Sequence, residues 1–450
     1  MRLLDEFTAM AADYFSRVAS RQAVFPSTDQ IERLEQFREP LQEDPVSPEK
    51  VLSMLDQWGS PATVKTTGGR YFGFVTGGSL PAAMMAKLLA TVWDQNTAMY
   101  VMSPVAAMLE EIASAWLIQI LGLPEQSAVG FVTGATMANF TALAAARHAL
   151  LQKAGWDVEA RGLFGAPEIQ VIVGDEVHVS LLKALNLIGF GRERCLRVPV
   201  DDQGRILSEK IPVTQGPTIL CLQAGNVNTG AFDPIEEICR NKKENVWVHI
   251  DGAFGLWAAV SPKTRHLVKG IEKADSWAAD AHKWLNAPYD SGLVFVREKN
   301  FLFNAMSASA AYLPLEGKRD PFQYTPEMSR EARGVPIWAA LKSLGKKGLT
   351  EMIEGHCEKA LFFAEGLRAQ GFQVLNEVVL NQVLVSFGDE ATTLEVIKKT
   401  QEEGTCWCGG TTWQGKKAMR ISISSWATTD EDVRASLRAI IQVAKSVSDL

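Results

Sequence analysis

The sequence predicts an α/β protein, in which a large domain with a mostly parallel sheet flanked by helices precedes a smaller α+β domain. Beyond about residue 105, short apolar runs alternate with helical stretches, the pattern of strands that are buried on both faces. The pattern changes after the segment PFQYTPEMSREARG, where long helices precede strand-like runs. A chain of 450 residues is also long enough for two such domains and an N-terminal arm.

The N-terminal arm is predicted to span residues 1–65. Residues 3–19 and 48–58 have helical patterns, and the Pro- and acid-rich segment REPLQEDPVSPEK separates them. The first 25 residues carry charges throughout and lack the apolar segment of a secretory signal. No run of about 18 uninterrupted apolar residues occurs, so we expect no membrane-spanning helix.

The large domain, residues 66–325, is predicted to hold seven strands, and the small domain, residues 326–450, is predicted to hold three. In the small domain we expect two helices, near residues 335–346 and 350–370, ahead of its strands. The predicted strands have the sequences AVGFVT, IQVIV, CLRVPV, TILCL, VWVHI, SWAA, GLVFV, FQVLN, QVLVSF and AMRISISS.

The composition excludes several classes of function. The formal net charge of −7 leaves no basic surface of the kind that binds nucleic acid. Six cysteines are too few for a disulfide scaffold, so we expect a protein of the reducing cytoplasm. Cys406 and Cys408 are close together but lack a second pair of ligands, so no metal site is predicted.

Chemically useful residues follow several predicted strands, at the sheet edge where α/β proteins bind ligands. Residues 133–136 join a strand to an Ala-rich helix and suit either an anion site or a tight turn. Asp251 ends a strand, and Lys283 follows it by 32 residues, shortly after another strand. His178 lies just beyond a third strand. Taken singly, these side chains have ordinary explanations, namely a turn cap, a surface lysine and a structural histidine.

Together, the four features are the groups that pyridoxal phosphate requires. A lysine forms a Schiff base with the aldehyde of the cofactor when burial lowers its pKa enough to free the amine. A carboxylate keeps the pyridine nitrogen protonated, so that the ring accepts electrons. An imidazole can stack on the face of the ring. The sequence therefore predicts a pyridoxal phosphate site built on Lys283, Asp251 and His178.

Four segments also carry a resemblance to a known family, namely DEVHVSLLKAL, AGNVNTGAFDPIEEI, HIDGAFG and DAHKWLNAPYDSG. They resemble the group II pyridoxal-phosphate-dependent amino acid decarboxylases, which include aromatic amino acid, glutamate and diaminobutyrate decarboxylases. The resemblance extends from about residue 60 to residue 445. It implies the aspartate aminotransferase-like fold (fold type I) with a seven-stranded sheet. It also implies a homodimer with active sites at the subunit interface.

The resemblance implies roles for individual residues. Lys283 matches the Schiff-base lysine, Asp251 the partner of the pyridine nitrogen, and His178 the histidine that stacks on the ring and is a candidate for proton handling. In some relatives a tyrosine of a mobile loop protonates the substrate carbon. Tyr324 and Tyr312 are the candidates here, with Tyr324 preferred and a packing role as its alternative. The other positions that match cofactor-binding residues are Ala135, Thr136, Asn226 and His282.

The substrate cannot be carried over from the family, because the segment before RYFGF lacks the His-Pro pair of many relatives. Phe72 and Phe74 favour a pocket for an aromatic side chain, whereas Arg70 would suit an acidic one. Arg420 matches a position that binds a carboxylate in related enzymes, and a structural ion pair is its alternative. We expect an aromatic substrate.

The expected reaction is α-decarboxylation of an L-amino acid to the amine and carbon dioxide. The alternatives are a carbon–carbon lyase or aldehyde-forming relative and, with less support, an aminotransferase or a cysteine desulfurase. A desulfurase would need a cysteine that faces the cofactor, for which Cys406 and Cys408 are the candidates. A cofactor-binding protein without activity is the non-enzyme alternative.

Overall fold

A seven-stranded sheet forms the centre of the molecule, seen in a computed structural model that describes residues 2–21, 23–308 and 318–448. Its strands are β1 (Ala128–Val132), β2 (Gln170–Gly174), β3 (Leu196–Val198), β4 (Thr218–Gln223), β5 (Val246–Asp251), β6 (Ser276–Asp280) and β7 (Gly292–Val296). They lie in the order β1-β7-β6-β5-β4-β2-β3. Strand β7 is antiparallel to both neighbours, and every other adjacent pair is parallel. All seven strands coincide with predicted apolar runs.

A second, antiparallel sheet contains four strands. They are β8 (Gln373–Val374), β9 (Gln382–Ser386), β10 (Gly409–Trp413) and β11 (Lys416–Ser422), in the order β10-β11-β9-β8. Three of them were predicted, whereas β10 was missed because its sequence, GGTTW, lacks an apolar run. It forms a hairpin with β11 through Gln414 and Gly415, which both have positive φ, as two-residue hairpin turns require.

Helices cover the two sheets and form the N-terminal arm. The predicted pair near residues 335–346 and 350–370 is confirmed as two helical stretches of α11, which are separated by non-helical backbone at Gly345. The α-helices are α1 (Arg2–Ser20), α2 (Thr28–Glu32), α3 (Pro48–Met54), α4 (Pro81–Trp93), α5 (Pro104–Leu121), α6 (Ala135–Lys153), α7 (Val158–Arg161), α8 (Val179–Leu187), α9 (Ile235–Arg240), α10 (Lys299–Met306), α11 (Gly334–Arg368), α12 (Glu390–Glu403) and α13 (Asp430–Ser448).

Helix α5 alone among the described helices is long and apolar enough, by length and composition, to cross a membrane. It carries a charged residue, Glu110, that is buried and pairs with the buried Arg330 of the segment before α11. The helix also packs against α11 and β1. These contacts attach one face of α5 to the rest of the protein.

Candidate active site

The carboxyl ends of the parallel strands bring the predicted residues to one edge of the large sheet. Asp251 ends β5, and Lys283 follows β6 by three residues. His178 lies between β2 and α8. The charges of Asp251, Lys283 and Arg420 all act on the His178 imidazole, so these four side chains share one site.

Lys283 has a carboxylate partner that the sequence argument missed. Its Nζ lies 3.1 Å from Oδ2 of Asp280, which is the last residue of β6 and is buried. Oδ1 of the same carboxylate lies 3.4 Å from Nε2 of His282. Asp280 therefore offsets the cost of burying the lysine ammonium. The signal in the sequence was the spacing of three residues within DAHK.

The turn after β1 leads directly into α6 and forms a cradle of small residues. The Ala135 backbone N–H donates to Oδ1 of Asp280 at 2.6 Å. A Cβ atom at Gly134 would lie 3.1 Å from Cε1 of His282, so glycine keeps this space open. The first N–H groups of a helix, here those of Ala135 and Thr136, have no helical partner and attract an anion.

His282 is a neutral imidazole at the edge of this cradle. Its Nδ1 accepts the backbone N–H of Ser291 at 3.2 Å. Its ring stacks on Tyr289 with the ring centres 4.4 Å apart. Burial is the main cause that lowers the pKa of His282 below its ordinary value, partly opposed by Asp280. The imidazole can therefore donate a hydrogen bond from Nε2 toward the cradle without carrying a charge.

Asp251 is held by hydrogen bonds to both carboxylate oxygens, and only 5% of the residue is exposed. The side-chain amide of Asn139, in α6, donates to Oδ2 at 3.2 Å. The backbone N–H of Ala253 donates to Oδ1 at 3.3 Å. A carboxylate held at both oxygens keeps a fixed direction.

His178 both caps a helix and faces the site. Its Nδ1 accepts the backbone N–H of Ser180 at 3.2 Å, the N-cap contact of α8. Burial is the main cause that lowers the pKa of His178, and the Asp251 carboxylate opposes that shift. The ring is therefore held in place by its capping bond and is mainly neutral at neutral pH.

Arg420 is a half-buried cation with no partner among the described residues. Its guanidinium makes neither a hydrogen bond nor an ion pair with any residue in the described ranges, and burial lowers its pKa. The alternative of a structural ion pair is therefore wrong for this part of the chain. A desolvated, unpaired arginine is costly, and the cost is recovered when an anionic ligand binds.

Two sequence-predicted residues, Tyr324 and Asn226, make no described contact with Lys283. Tyr324 was expected in a mobile loop, but it lies in a short 3-10 helix and is only 3% exposed. The Arg319 guanidinium lies 3.9 Å from its ring centre, beside a cavity of about 630 Å³ that does not include Lys283. The side-chain oxygen of Asn226 accepts hydrogen bonds from backbone N–H groups of its own loop. Tyr312, the second candidate, falls outside the described residues.

Of the three residues predicted to contact the substrate side chain, one is available and two are not. Phe72 is 1% exposed and packs in the core of the small sheet, 5.3 Å from the Phe363 ring, so it cannot line a pocket. Arg70 pairs with Asp432 at 2.8 Å and is not free to bind an acidic substrate. Phe74 remains available, because 64% of it is exposed.

Phe74 belongs to an aromatic stack that the sequence analysis missed. The Trp407 indole lies between two rings, with its centre 5.1 Å from that of Tyr71 and 5.5 Å from that of Phe74. Cys406 and Cys408 on either side of it are buried in the core of the small sheet. Neither cysteine faces Lys283, so the predicted desulfurase nucleophile is wrong. The sequence signal for Trp407 was its position between Cys406 and Cys408, because neighbouring residues of an extended segment point to opposite faces.

Comparison with known proteins assigns the family. The sequence model described as "Pyridoxal-dependent decarboxylase conserved domain" matches residues 34–388, which is most of the chain. The chain belongs to the pyridoxal-dependent decarboxylases. It is therefore a pyridoxal-phosphate-dependent carboxy-lyase, and the expected cofactor and enzyme class are confirmed.

Relatives of this decarboxylase act on different substrates. It is 27% identical over 440 residues to an aromatic-L-amino-acid decarboxylase of Bacillus atrophaeus, covering 91% of this chain and 88% of that one. It is also 27% identical to the acidic amino acid decarboxylase GADL1 of Homo sapiens, covering 80% and 73%. A crystal structure of Oryza sativa TDC with PLP and tryptamine superimposes with a TM-score of 0.90 at 21% identity, covering 99% and 97%. The last similarity confirms fold type I.

The residues at the sheet edge fit pyridoxal phosphate. The space at Gly134 and the N-terminal end of α6 suit the phosphate. The Lys283 amine and the Asp251 carboxylate suit the aldehyde and the pyridine nitrogen, and both act on the same imidazole of His178. This decarboxylase therefore presents one complementary group for each reactive part of the cofactor.

Proposed function

We propose that this decarboxylase removes the α-carboxyl group of an aromatic L-amino acid, giving the amine and carbon dioxide. The observation that carries the proposal is the aromatic stack of Trp407, Tyr71 and the exposed Phe74, together with Arg420, which has no partner among the described residues. An aromatic surface and a lone cation are complementary to the two ends of such a substrate. An acidic side chain would need a second free cation, and Arg70 is paired with Asp432.

The strand register supports a location for the stack next to Arg420. Gly409 of β10 pairs directly with Arg420 of β11. Trp407 precedes Gly409 by two residues, so its side chain shares the sheet face of Arg420, whereas Cys406 and Cys408 face the core. The backbone N–H of Trp407 donates to the carbonyl of Arg70, which fixes the indole beside the segment of Tyr71.

The stack also approaches the lysine. Tyr71 interacts electrostatically with the phenol of Tyr289. The ring of Tyr289 in turn stacks on His282, which is the neighbour of Lys283. A Cβ atom at Gly77 would collide with the backbone carbonyl of Lys283, so the segment that carries Phe74 lies against the lysine turn. Phe74 itself has positive φ, a costly conformation for a large side chain that is common at functional sites.

Each residue of the site then has a defined task. When bound, the cofactor supplies an electron sink that accepts the pair left behind by carbon dioxide. Lys283 holds the cofactor covalently, and Asp280 pairs with its ammonium whenever the amine is protonated. Asp251 keeps a proton on the pyridine nitrogen. Arg420 binds the substrate carboxylate and orients it.

The proton that replaces carbon dioxide needs a donor. Among the described residues we propose His178, because its ring is fixed at Nδ1 by Ser180 and faces the charges of the site. We prefer His178 to Tyr324, because Tyr324 is only 3% exposed and packs against Arg319. Tyr312, the second tyrosine candidate, remains the alternative proton donor. Replacement of His178 with Gln tests the two donors, since a tyrosine donor would leave product protonation intact.

We propose that the active form is a homodimer. Helix α4, the segment before α5 and the first turns of α5 expose eight large apolar side chains, and exposed apolar surface of this kind is typical of a partner interface. We propose a second copy of this chain as the partner, because the resemblance to the group II decarboxylases implies a homodimer. The exposed residues are Met85, Leu88, Leu89, Val92, Val101, Met102, Val105 and Met108.

We also propose that the enzyme works in the cytoplasm. All six cysteines are free thiols, and five of them are buried. A chain without disulfides suits a reducing compartment.

Product analysis tests the reaction type. Purified, cofactor-loaded enzyme is incubated with an aromatic L-amino acid, and amine, aldehyde and carbon dioxide are measured together. We expect amine and carbon dioxide in equal amounts. Aldehyde with little amine would instead support the aldehyde-forming alternative. If no amino acid yields amine, aldehyde or carbon dioxide, the result would favour the carbon–carbon lyase alternative.

A further inference from the structure

A chain of buried hydrogen bonds leads from the protein interior to Asp251. The Trp247 indole N–H donates to Oγ of Ser276 at 2.8 Å, and this oxygen lies 2.9 Å from Nδ1 of His249. Nε2 of His249 lies 2.8 Å from Oδ1 of Asn139, whose amide N–H donates to Asp251 at 3.2 Å. Ser276, His249 and Asn139 are completely buried.

The local sequence explains how these groups meet. Trp247, His249 and Asp251 alternate along β5, so their side chains lie on one face of the sheet. Asn139 lies one helical turn after Ala135, on the same side of α6. Helix α6 therefore supplies the phosphate cradle with its first residue and the contact to Asp251 with its second turn.

The direction of every bond in the chain is determined. An ionised Asp251 only accepts, so Asn139 must present its N–H group to it and its oxygen to His249. An amide oxygen only accepts, so His249 must carry its proton on Nε2 and accept at Nδ1 from Ser276. Burial lowers the pKa of His249 to about 3, so this neutral tautomer persists at neutral pH. All donors therefore point toward Asp251.

We infer that Asn139 and His249 are positioning residues that keep Asp251 ionised and aimed at the cofactor's pyridine nitrogen. The inference rests on the proposed function, in which Asp251 maintains the proton on that nitrogen. Aligned hydrogen bonds in a buried site polarise one another and favour the anion at the end of the chain. Removing a link makes it easier for the shared proton to move from the pyridine nitrogen to the carboxylate.

The test uses holoenzyme reconstituted with cofactor that carries ¹⁵N at the pyridine nitrogen. In the wild type we expect the ¹⁵N resonance of a protonated nitrogen. In Asn139→Ala the resonance should move toward the unprotonated position, the cofactor should dissociate about 10-fold faster or more, and kcat should fall about 10- to 100-fold. His249→Leu should act in the same direction. His249→Gln should restore most of the signal, because its amide can still donate to Asn139.

Two further variants separate positioning from general damage. Asn381→Ala removes another fully buried asparagine, which donates to the Ile423 carbonyl, and should leave the ¹⁵N resonance at the wild-type position. Ser276→Ala removes a single hydroxyl and should produce a smaller shift in the same direction, even if Asn139→Ala fails to fold.

Each outcome decides the inference. A protonated nitrogen in the wild type that stays unchanged in Ser276→Ala, His249→Leu and Asn139→Ala overturns it. An equal shift in Asn381→Ala also overturns it, because the effect would then be unspecific. A wild type that binds no labelled cofactor overturns the proposed function itself, which is a different result from an unchanged resonance.

Discussion

At the scale of single residues, the site combines one paired cation with one unpaired cation. Lys283 meets the carboxylate of Asp280 at 3.1 Å, whereas Arg420 meets no acid among the described residues. The charge of Arg420 is therefore available to an incoming carboxylate, whereas the ammonium of Lys283 already has an anionic neighbour. Both assignments can be tested by substitution.

Replacement of Lys283 with Ala should abolish turnover and loosen the cofactor. We expect at least about a 1,000-fold loss of carbon dioxide release, because the covalent attachment is lost. The visible absorption band of lysine-bound cofactor should disappear as well. The matched control is Lys269→Ala, an exposed lysine paired with Glu236, which should retain band and activity. Near-normal turnover in Lys283→Ala would contradict the assignment.

Replacement of Arg420 with Met should stabilise the fold and impair the reaction. Removing a half-buried guanidinium that has no partner among the described residues should raise the free energy of unfolding by about 1 kcal/mol. At the same time kcat/KM should fall about 100-fold or more, because the substrate carboxylate loses its partner. Denaturant unfolding and steady-state kinetics measure the two effects. A destabilised variant with unchanged KM would instead identify Arg420 as a structural residue.

The residue scale also shows what a sequence can predict. Lys283, Asp251 and His178 each follow an apolar strand, so their common edge could be inferred from pattern alone. Phe72 and Tyr324 were misplaced because the direction of a side chain depends on which sheet its segment joins. The role of Asp280 and the free charge of Arg420 depend on distances between segments, which spacing along the chain does not give.

At the scale of elements, the segment that enters β10 carries the aromatic surface. Replacement of Trp407 with Leu removes its stacking on Tyr71 and Phe74, each contact being worth about 0.5–1.5 kcal/mol. We expect kcat/KM for an aromatic substrate to fall about 10-fold or more, with the cofactor band unchanged. Trp156→Leu, which removes an indole that contacts Arg161 on α7, is the control. Equal kinetics in both variants would argue against the aromatic pocket.

Helix α11 is fastened to the site by His356. The Trp284 indole donates to its Nδ1 at 2.8 Å, and its Nε2 donates to the Ser425 carbonyl at 2.9 Å. Burial is the main cause that lowers the pKa of His356 to about 4. One imidazole thus joins the lysine turn, the long helix and the loop after β11, and it must remain neutral to do so.

This contact predicts how stability depends on pH. The unfolded chain takes up a proton near the ordinary histidine pKa of about 6.5, before the folded chain does, so acidification favours unfolding. The contribution of His356 is complete above that value and should be about 2 kcal/mol smaller at about pH 5. In His356→Gln the free energy of unfolding should depend less steeply on pH, whereas exposed His266→Gln should match the wild type. Identical slopes in all three proteins would contradict a neutral buried His356.

The element scale also limits prediction from sequence. Most of the seven strands of the large sheet were found because burial on both faces leaves a continuous apolar run, although β3 is mostly exposed. Strand β10 was not found, since its GGTTW sequence alternates exposure and is fixed by its hairpin with β11. The substrate-facing indole lies at the entry to that missed strand, so the pocket could not be assembled from sequence alone.

At the scale of the whole molecule, the exposed apolar surface of α4 and α5 predicts assembly. Leu89→Asp should convert the dimer to monomers, because a charge at the centre of an apolar interface is not compensated. Sedimentation velocity measures the change, and carbon dioxide release should fall with it. Leu394→Asp introduces the same charge at a similarly exposed leucine of α12 and should remain dimeric. A wild type that sediments as a monomer would contradict the proposed assembly.

The aromatic substrate is the central claim about this decarboxylase, and one measurement tests it most directly. Carbon dioxide release is measured from carboxyl-labelled L-amino acids by the cofactor-loaded enzyme, using the aromatic set, glutamate, aspartate and diaminobutyrate. The account predicts release from at least one aromatic amino acid, with kcat/KM well above that of any acidic one. Release from glutamate or aspartate alone would contradict the assignment of Trp407, Tyr71 and Phe74 to the substrate pocket.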